Sequence, residues 1–426
     1  MGAGLTVELT LAYGSHGLRV DVPVDRTTVV RPHHRAPVGQ PFETIQDALR
    51  RPVAGPPLRD LARSGQRVAI SVCDITRPQP RPVMLKAILA ELDGVVRRKD
   101  VTVIIATGTH RSNTQDELDG MLGPTVRDAC RIVNHDARDA RTLVDLGMVD
   151  DVPVLLCREW VDADLRITTG FVEPHFFAGF SGGPKMVAPG LAGLDTTLQL
   201  HNARRIGDRR ATWGICEGNP VHDAIRAVAA VAPPAFALDV LLNDEQRITA
   251  AFGGPLFEMH RLARERAKAE AMVPVDGPFD IVVTTNSGYP LDQNLYQAVK
   301  GISAAAEIVR DGGTIICAAE CRDGLPEHGS YAALLASRDT PRELLRMIEA
   351  APVTIPDQWQ VQIQARVQCR ARVLVHADGL TDREIEAAHF EPAGNVSHVL
   401  AGLLRQDPDA RVCVLPDGPQ TIAYIA

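Results

Sequence analysis

No window of the 426-residue sequence approaches the run of roughly 20 apolar residues that crosses a bilayer, and no basic start leads into an apolar stretch at the N-terminus. The first absence excludes a membrane helix and the second gives no export signal, so the expected setting is cytoplasmic. Lysine and arginine are scattered rather than gathered into stripes or tails, and the formal net charge is −8 with a pI of about 5.9. The electrostatic footprint of a nucleic-acid binder is therefore missing, and the partner expected is a small molecule, with no nucleic acid and no membrane. The eight cysteines (Cys73, Cys130, Cys157, Cys216, Cys317, Cys321, Cys369, Cys413) form no CxxC pair and no compact framework. They read as reduced core residues rather than zinc ligands or disulfides. There is no internal repeat, and both HExxH and the phosphate-loop pattern GxxxxGK[ST] are absent.

What is present is the composition of a globular protein, 45% hydrophobic and 23% charged, in a chain too long for one domain of roughly 100–200 residues. Leu5, Val7 and Leu9 alternate with other residues, Gly14-Ser15-His16-Gly17 supplies a turn, and Leu18, Val20 and Val22 resume the alternation: a β-hairpin. Beyond it, strand-like runs at Val68–Val72, Val101–Ala106, Leu165–Thr168, Ile281–Thr284, Thr314–Cys317 and Val373–His376 alternate with helical periodicity such as Val83–Leu92. That order predicts an α/β fold with largely parallel sheets. The helical segment Phe257–Met272 ends at Pro274 and the Asp276-Gly277-Pro278 turn, which places a domain boundary there. A last strand over Arg411–Leu415 has no assigned sheet.

Polar residues gather just past the predicted strands, the edge of an α/β sheet where ligands collect. After the first comes Asp74-Ile75-Thr76-Arg77-Pro78. Arg77 suits a carboxylate held through paired charge-assisted hydrogen bonds, while Asp74 or Thr76 serves either as a helix cap or as a partner for a ribose hydroxyl. After the second comes Thr107-Gly108-Thr109-His110-Arg111, where glycine permits a sharp turn and exposes the histidine. The densest cluster runs from Gly170 through Glu173-Pro174-His175 and Ser181-Gly182-Gly183-Pro184-Lys185 to His201-Asn202. Its glycines imply close backbone approach to a ligand, and histidine is both a general acid/base near neutrality and the commonest transition-metal ligand. In the second half, Gln297 and Lys300 are three apart and share a helix face. His135, His376, His389 and His398, and the pair Cys317 and Cys321, are given structural roles.

Five segments in one order, DITRP at 74–78, TGTHR at 107–111, EPHFFAGFSGGPK at 173–185, LHN at 200–202 and YQAVKG at 296–301, resemble the lactate racemase family over nearly the whole chain. The resemblance implies two α/β domains, residues 1–272 and 276–404, with an active-site cleft between them and a C-terminal strand within 405–426 able to return to the first. It implies nickel, carried by a nickel-pincer nucleotide whose two sulfur substituents and a ring carbon grip the metal. His201 is then the nickel ligand, Lys185 the residue whose amine joins the cofactor, and Asp74, Thr76 and Trp359 frame it. His110 and His175 become the acid/bases on opposite faces of the substrate, and Arg77, Gln297 and Lys300 hold its carboxylate. One histidine takes the hydroxyl proton while the Cα hydride passes to the cofactor, and the other reprotonates the alkoxide after hydride return. One departure is Pro184, where the lactate enzymes carry a basic residue; proline stiffens the backbone beside Lys185.

The expected function is thus racemisation of a small 2-hydroxy acid, lactate or another such as malate or a sugar acid. Proteins that build the cofactor are implied as partners. A non-catalytic carrier of the nickel nucleotide would need Lys185 and His201 but not His110, Arg77 and Lys300, and the presence of all five favours an enzyme. A zinc hydrolase using the same histidines lacks the paired ligand spacing.

Overall fold

The opening alternation folds as expected, with β1 (Thr6–Leu11) and β2 (Leu18–Pro23) antiparallel and Leu11 opposite Leu18 across the turn. Leu11, Val20 and Val22 are buried on one face, the period-2 pattern of a half-covered ribbon. A short β3 (Thr27–Val29) follows. The structure is a computed structural model that describes residues 5–33, 35–326 and 329–426. The chain divides into two units: a first comprising His34–His201 and Arg210–Glu270, and a second comprising Met1–His33, Asn202–Arg209 and Ala271–Ala426.

The first unit is built on β4 (Val68–Cys73), β5 (Val101–Ala106), β6 (Arg131–Asn134), β7 (Leu165–Phe171), β8 (Phe236–Leu242) and β9 (Ile248–Gly254). Their spatial order is β9-β8-β7-β4-β5-β6, parallel throughout except for the edge strand β9. All six residues of β4 are buried, which is why it reads as an unbroken apolar run: a parallel strand is covered on both faces. Helix α1 (Arg81–Leu92) covers one face with Met84, Leu85, Ile88, Leu89 and Leu92, the i, i+3, i+4 spacing of an apolar stripe. The chain goes from β4 to β5 and β6 on one side and later to β7 and β8 on the other. A crevice therefore opens between the carboxyl ends of β4 and β7, the switch point where α/β sheets bind ligands. Helix α2 (Leu194–Leu200) and the long helix α3 (Leu256–Ala271) complete the elements used below.

The second unit repeats the scheme with β10 (Phe279–Thr285), β11 (Val309–Ala318), β12 (Arg372–His376), β13 (Glu391–Pro392) and β14 (Val412–Leu415), joined by β3. The order is β13-β12-β11-β10-β14-β3, all parallel. The strand expected near 411–415 is thus assigned to the second sheet, between β10 and β3. The chain passes from one unit to the other at 33/34, 201/202, 209/210 and 270/271, and residues 5–33 belong to the second unit, where β3 pairs with β14 at that sheet's edge. Its helices include α4 (Leu295–Ala306) and α5 (Gln358–Gln368). All eight cysteines are free; seven are buried, and Cys369, just past α5, is exposed rather than in the core. Among the described residues no helix is long and apolar enough to cross a membrane.

Candidate functional site

The loop after β4 does not cap a helix. Helix α1 begins only at Arg81, with no side-chain cap, so the capping role open to Asp74 and Thr76 is not used. Asp74 is buried; one carboxylate oxygen meets His110 Nδ1 at 2.8 Å and the other accepts the Thr76 hydroxyl at 2.8 Å. Burial works to raise the Asp74 pKa, but the hydrogen bond and charge of His110, the charge of Arg77 and the Thr76 hydroxyl outweigh it and leave the carboxyl below its ordinary value. A carboxylate in that position accepts a hydrogen bond from Nδ1–H and leaves the lone pair of neutral His110 on Nε2. Arg77 is half-buried on the same loop. Its guanidinium makes no hydrogen bond or ion pair with a described residue, as befits a group kept for an anion.

His110 follows β5 on a turn whose Gly108 has φ +56°, a conformation that favours glycine. The Gly108 N–H donates to the Gly190 carbonyl at 3.0 Å, and the Gly190 N–H donates to the Lys185 carbonyl at 3.1 Å. These two bonds join the β5 turn to the glycine-rich segment after β7. His135, read as structural, is buried beside this turn with Nε2 on the Ala192 carbonyl at 2.9 Å.

That segment brings together three more of the expected residues. A two-residue hairpin pairs Pro174-His175 with Gly179-Phe180 and turns His175 Nδ1 toward the N–H groups of Ala178 (3.3 Å) and Phe177 (3.5 Å). The other ring nitrogen, Nε2, lies 3.3 Å from Lys185 Nζ. His201 is the last residue of the cluster, at the C-terminus of α2, and is buried. Its Nδ1–H donates to the Thr197 carbonyl at 2.7 Å, which puts the ring's lone pair on Nε2, the atom that would bind a metal. Burial, opposed by that hydrogen bond and reinforced by the charge of Lys185, lowers its pKa to about 4. The ring is therefore neutral, as a ligand must be.

Phe177 was given no role in the sequence, yet its ring lies against His175 (centroids 4.5 Å), His201 (5.2 Å) and Lys185 Nζ (5.5 Å). The signal for it was its place between a histidine and the glycine turn. The turn itself rests on a second group the sequence reading missed. Asp239 accepts the Gly183 N–H at 2.6 Å, and the His260 ring donates from Nε2 to the Ser181 carbonyl at 2.9 Å. A Cβ on Gly182 or Gly183 would collide with those same side chains. These residues are scattered along β8 and α3, where no local motif marks them.

In the second unit, Lys300 Nζ donates to Gln297 Oε1 at 2.7 Å on one face of α4. Trp359 is partly exposed on α5.

Among the described residues no group of three or more His, Cys, Asp or Glu side chains could hold a metal ion. A metal at His201 would thus take its other donors from a bound group. The residues fit such a group: a neutral imidazole with Nε2 as donor and an amine at Lys185, whereas Gly182 and Gly183 are required by the packing of Asp239 and His260 against the turn. The His110 ring is held through Nδ1 by the Asp74 carboxylate, and the His175 ring lies between backbone N–H groups at Nδ1 and Lys185 Nζ at Nε2.

Two family models match the chain: the lactate racemase N-terminal domain over residues 13–214 and the lactate racemase C-terminal domain over 275–423. The chain is 33% identical to a lactate racemase of Thermoanaerobacterium thermosaccharolyticum, covering 97% of this chain and 98% of that protein. It is 35% identical to one of Lactiplantibacillus plantarum, covering 88% and 89%. The fold superposes on the lactate racemase apoprotein structure from T. thermosaccharolyticum with a TM-score of 0.91 at 32% identity, over 98% of this chain and all of that one. A Thermotoga maritima protein shares the fold alone, with a TM-score of 0.68 at 17% identity over 92% of this chain and all of that one.

Proposed function

The chain belongs to the lactate racemase family and is a racemase by class, and from that premise we propose that it interconverts the enantiomers of a small 2-hydroxy acid, lactate before others, with a nickel-pincer nucleotide as cofactor. The observation that carries the reading is a pair of histidines on the loops after β5 and β7 of one sheet, His110 held by the Asp74 carboxylate and His175 beside Lys185. A racemase needs a base for one face and an acid for the other. In one direction His110 Nε2 would take the hydroxyl proton and become imidazolium, while a protonated His175 would give its proton to the alkoxide formed on hydride return and become neutral; in the reverse direction the roles exchange.

Lys185 and His201 would hold the cofactor, the first through its amine and the second through Nε2 on nickel, with Asp74, Thr76 and Trp359 framing it. When bound, the nucleotide supplies an acceptor that takes the Cα hydride and returns it. The remaining work falls to the chain's own side chains. Asp74 fixes the tautomer of His110 and stabilises it when protonated. Arg77, with Gln297 and Lys300, would bind the substrate carboxylate and hold the molecule while the hydrogen on Cα changes face.

The test is racemisation of single enantiomers of lactate, malate and a sugar acid by protein produced with cofactor-building proteins and assayed for nickel. Turnover of at least one is the expected result. A nickel-loaded protein that racemises none of a broad panel of 2-hydroxy acids would contradict the reading and favour a carrier.

A further inference from the structure

Four backbone carbonyls around the β4 loop point at one side chain, Arg81. Its Nε donates to the Cys73 carbonyl at 2.8 Å, Nη1 to Gln79 at 3.2 Å, and Nη2 to Arg77 at 2.7 Å and also to Asp74. Arg81 is 6% exposed, and its hydrogen bonds go to carbonyls, with the charge of Asp74 acting on it without a direct bond. A guanidinium buried without a hydrogen-bonded carboxylate is costly and stays charged. Closing a loop does not require it: the neighbouring Gln79 does comparable work as a neutral amide, accepting the Cys73 N–H at 2.7 Å and donating to the Thr169 hydroxyl at 2.8 Å. What the guanidinium adds is a rigid planar fork that reaches acceptors on four residues at once.

The carbonyl directions of Asp74 and Arg77 set where their side chains leave the backbone. Asp74 meets His110 Nδ1 at 2.8 Å, and the Arg77 guanidinium leaves the same loop close enough for its charge to act on Asp74. We propose that Arg81 is a positioning residue of the reaction: it presets the Asp74–Gln79 loop so that Asp74 holds His110 in its Nδ1–H form and Arg77 is presented to the substrate carboxylate. The inference rests on the racemase reading for its catalytic consequence and on geometry alone for its structural one.

Both parts are tested with Arg81→Met and Arg81→Lys. In the apoprotein, proton NMR follows the His110 Nδ1–H resonance, assigned by its disappearance in His110→Gln. Arg81→Met is expected to lose that resonance while the circular dichroism stays that of the folded chain. Arg81→Lys, which keeps the charge but not the fork, is expected to keep it weakened. In the nickel-loaded enzyme, Arg81→Met should raise KM for the hydroxy acid about 10-fold and lower kcat on the order of 100-fold, the scale of loss for about 1 Å of misplacement. Arg81→Lys should recover part of both. If Arg81→Met does not fold, the lysine variant decides, and wild-type resonance and kinetics in it overturn the proposal. So does an Arg81→Met protein that keeps the resonance, or one whose activity falls only with its folded fraction at unchanged KM. If the wild-type protein racemises nothing, the racemase reading fails while the NMR comparison still judges Arg81.

Discussion

The two units run the same topology to opposite ends. Each sheet has a switch point, between β4 and β7 in the first unit and between β10 and β14 in the second. In the second, the crevice is filled by the chain itself: the Ala12 N–H donates to the Pro416 carbonyl at 2.8 Å, and the Ser287 hydroxyl donates to the Asp417 carbonyl at 2.8 Å. Asp292 accepts the N–H groups of Gly14 (2.8 Å) and Glu320 (3.0 Å). In the first, the corresponding loops turn their titratable side chains toward one another: Asp74 to His110, and His175 to Lys185. The difference teaches that topology offers a site and loop composition decides whether it is used.

The comparison breaks most visibly with the histidines. His110→Ala and His175→Ala should each lower kcat/KM by about 1,000-fold, within the range for a positioned acid/base, while Ser287→Ala at the filled crevice should leave it within about twofold; steady-state kinetics in both directions checks this. Asp74→Asn should cost on the order of 100-fold, because an amide can donate to Nδ1 and so stabilise the wrong tautomer of His110. A kcat near wild type in that variant would remove the dyad from the mechanism. Arg77→Ala should raise KM for the hydroxy acid by roughly 10- to 100-fold, the worth of a charge-assisted hydrogen bond.

The filled crevice should respond in stability instead. Asp292→Ala leaves two backbone donors without their acceptor and should cost about 1–3 kcal/mol in denaturant unfolding, with kcat and KM per folded molecule unchanged. A smaller and more distributed effect is set by pH. Burial lowers the pKa of His222 from 6.5 to about 3 and, with its effect opposed by the Ser181 hydrogen bond, that of His260 to about 4. The unfolded chain then binds protons below about pH 6.5 that the folded one refuses, so apoprotein stability should fall as pH drops from about 6.5 toward 4. His260→Gln should flatten that limb of a Tm-against-pH plot; an unchanged slope would show that burial of this ring is not its source.

Much of this was legible before the structure. Buried parallel strands announce themselves as apolar runs such as Val101–Ala106, and the residues that end them, Asp74, His110 and His175, stand out because a charged or titratable group at a strand end needs a reason. What the sequence did not carry was how the loops are held. Arg81 sits past the quoted motif, Asp239 and His260 lie on distant elements, and only the fold brings them under the Asp74–Gln79 and Ser181–Gly183 turns. The role of the first 33 residues was hidden for a similar reason: β3 is three residues long and pairs with a strand nearly 400 residues away.

The most direct test of the division of labour at the open crevice uses one enantiomer of lactate labelled with deuterium at Cα, racemised in ordinary water by the nickel-loaded protein. If the histidines move only the hydroxyl proton, the deuterium is retained in the opposite enantiomer at all extents of reaction. Loss of the label to solvent at the rate of racemisation would mean that a side chain takes the Cα hydrogen as a proton, and would contradict the roles assigned to His110 and His175.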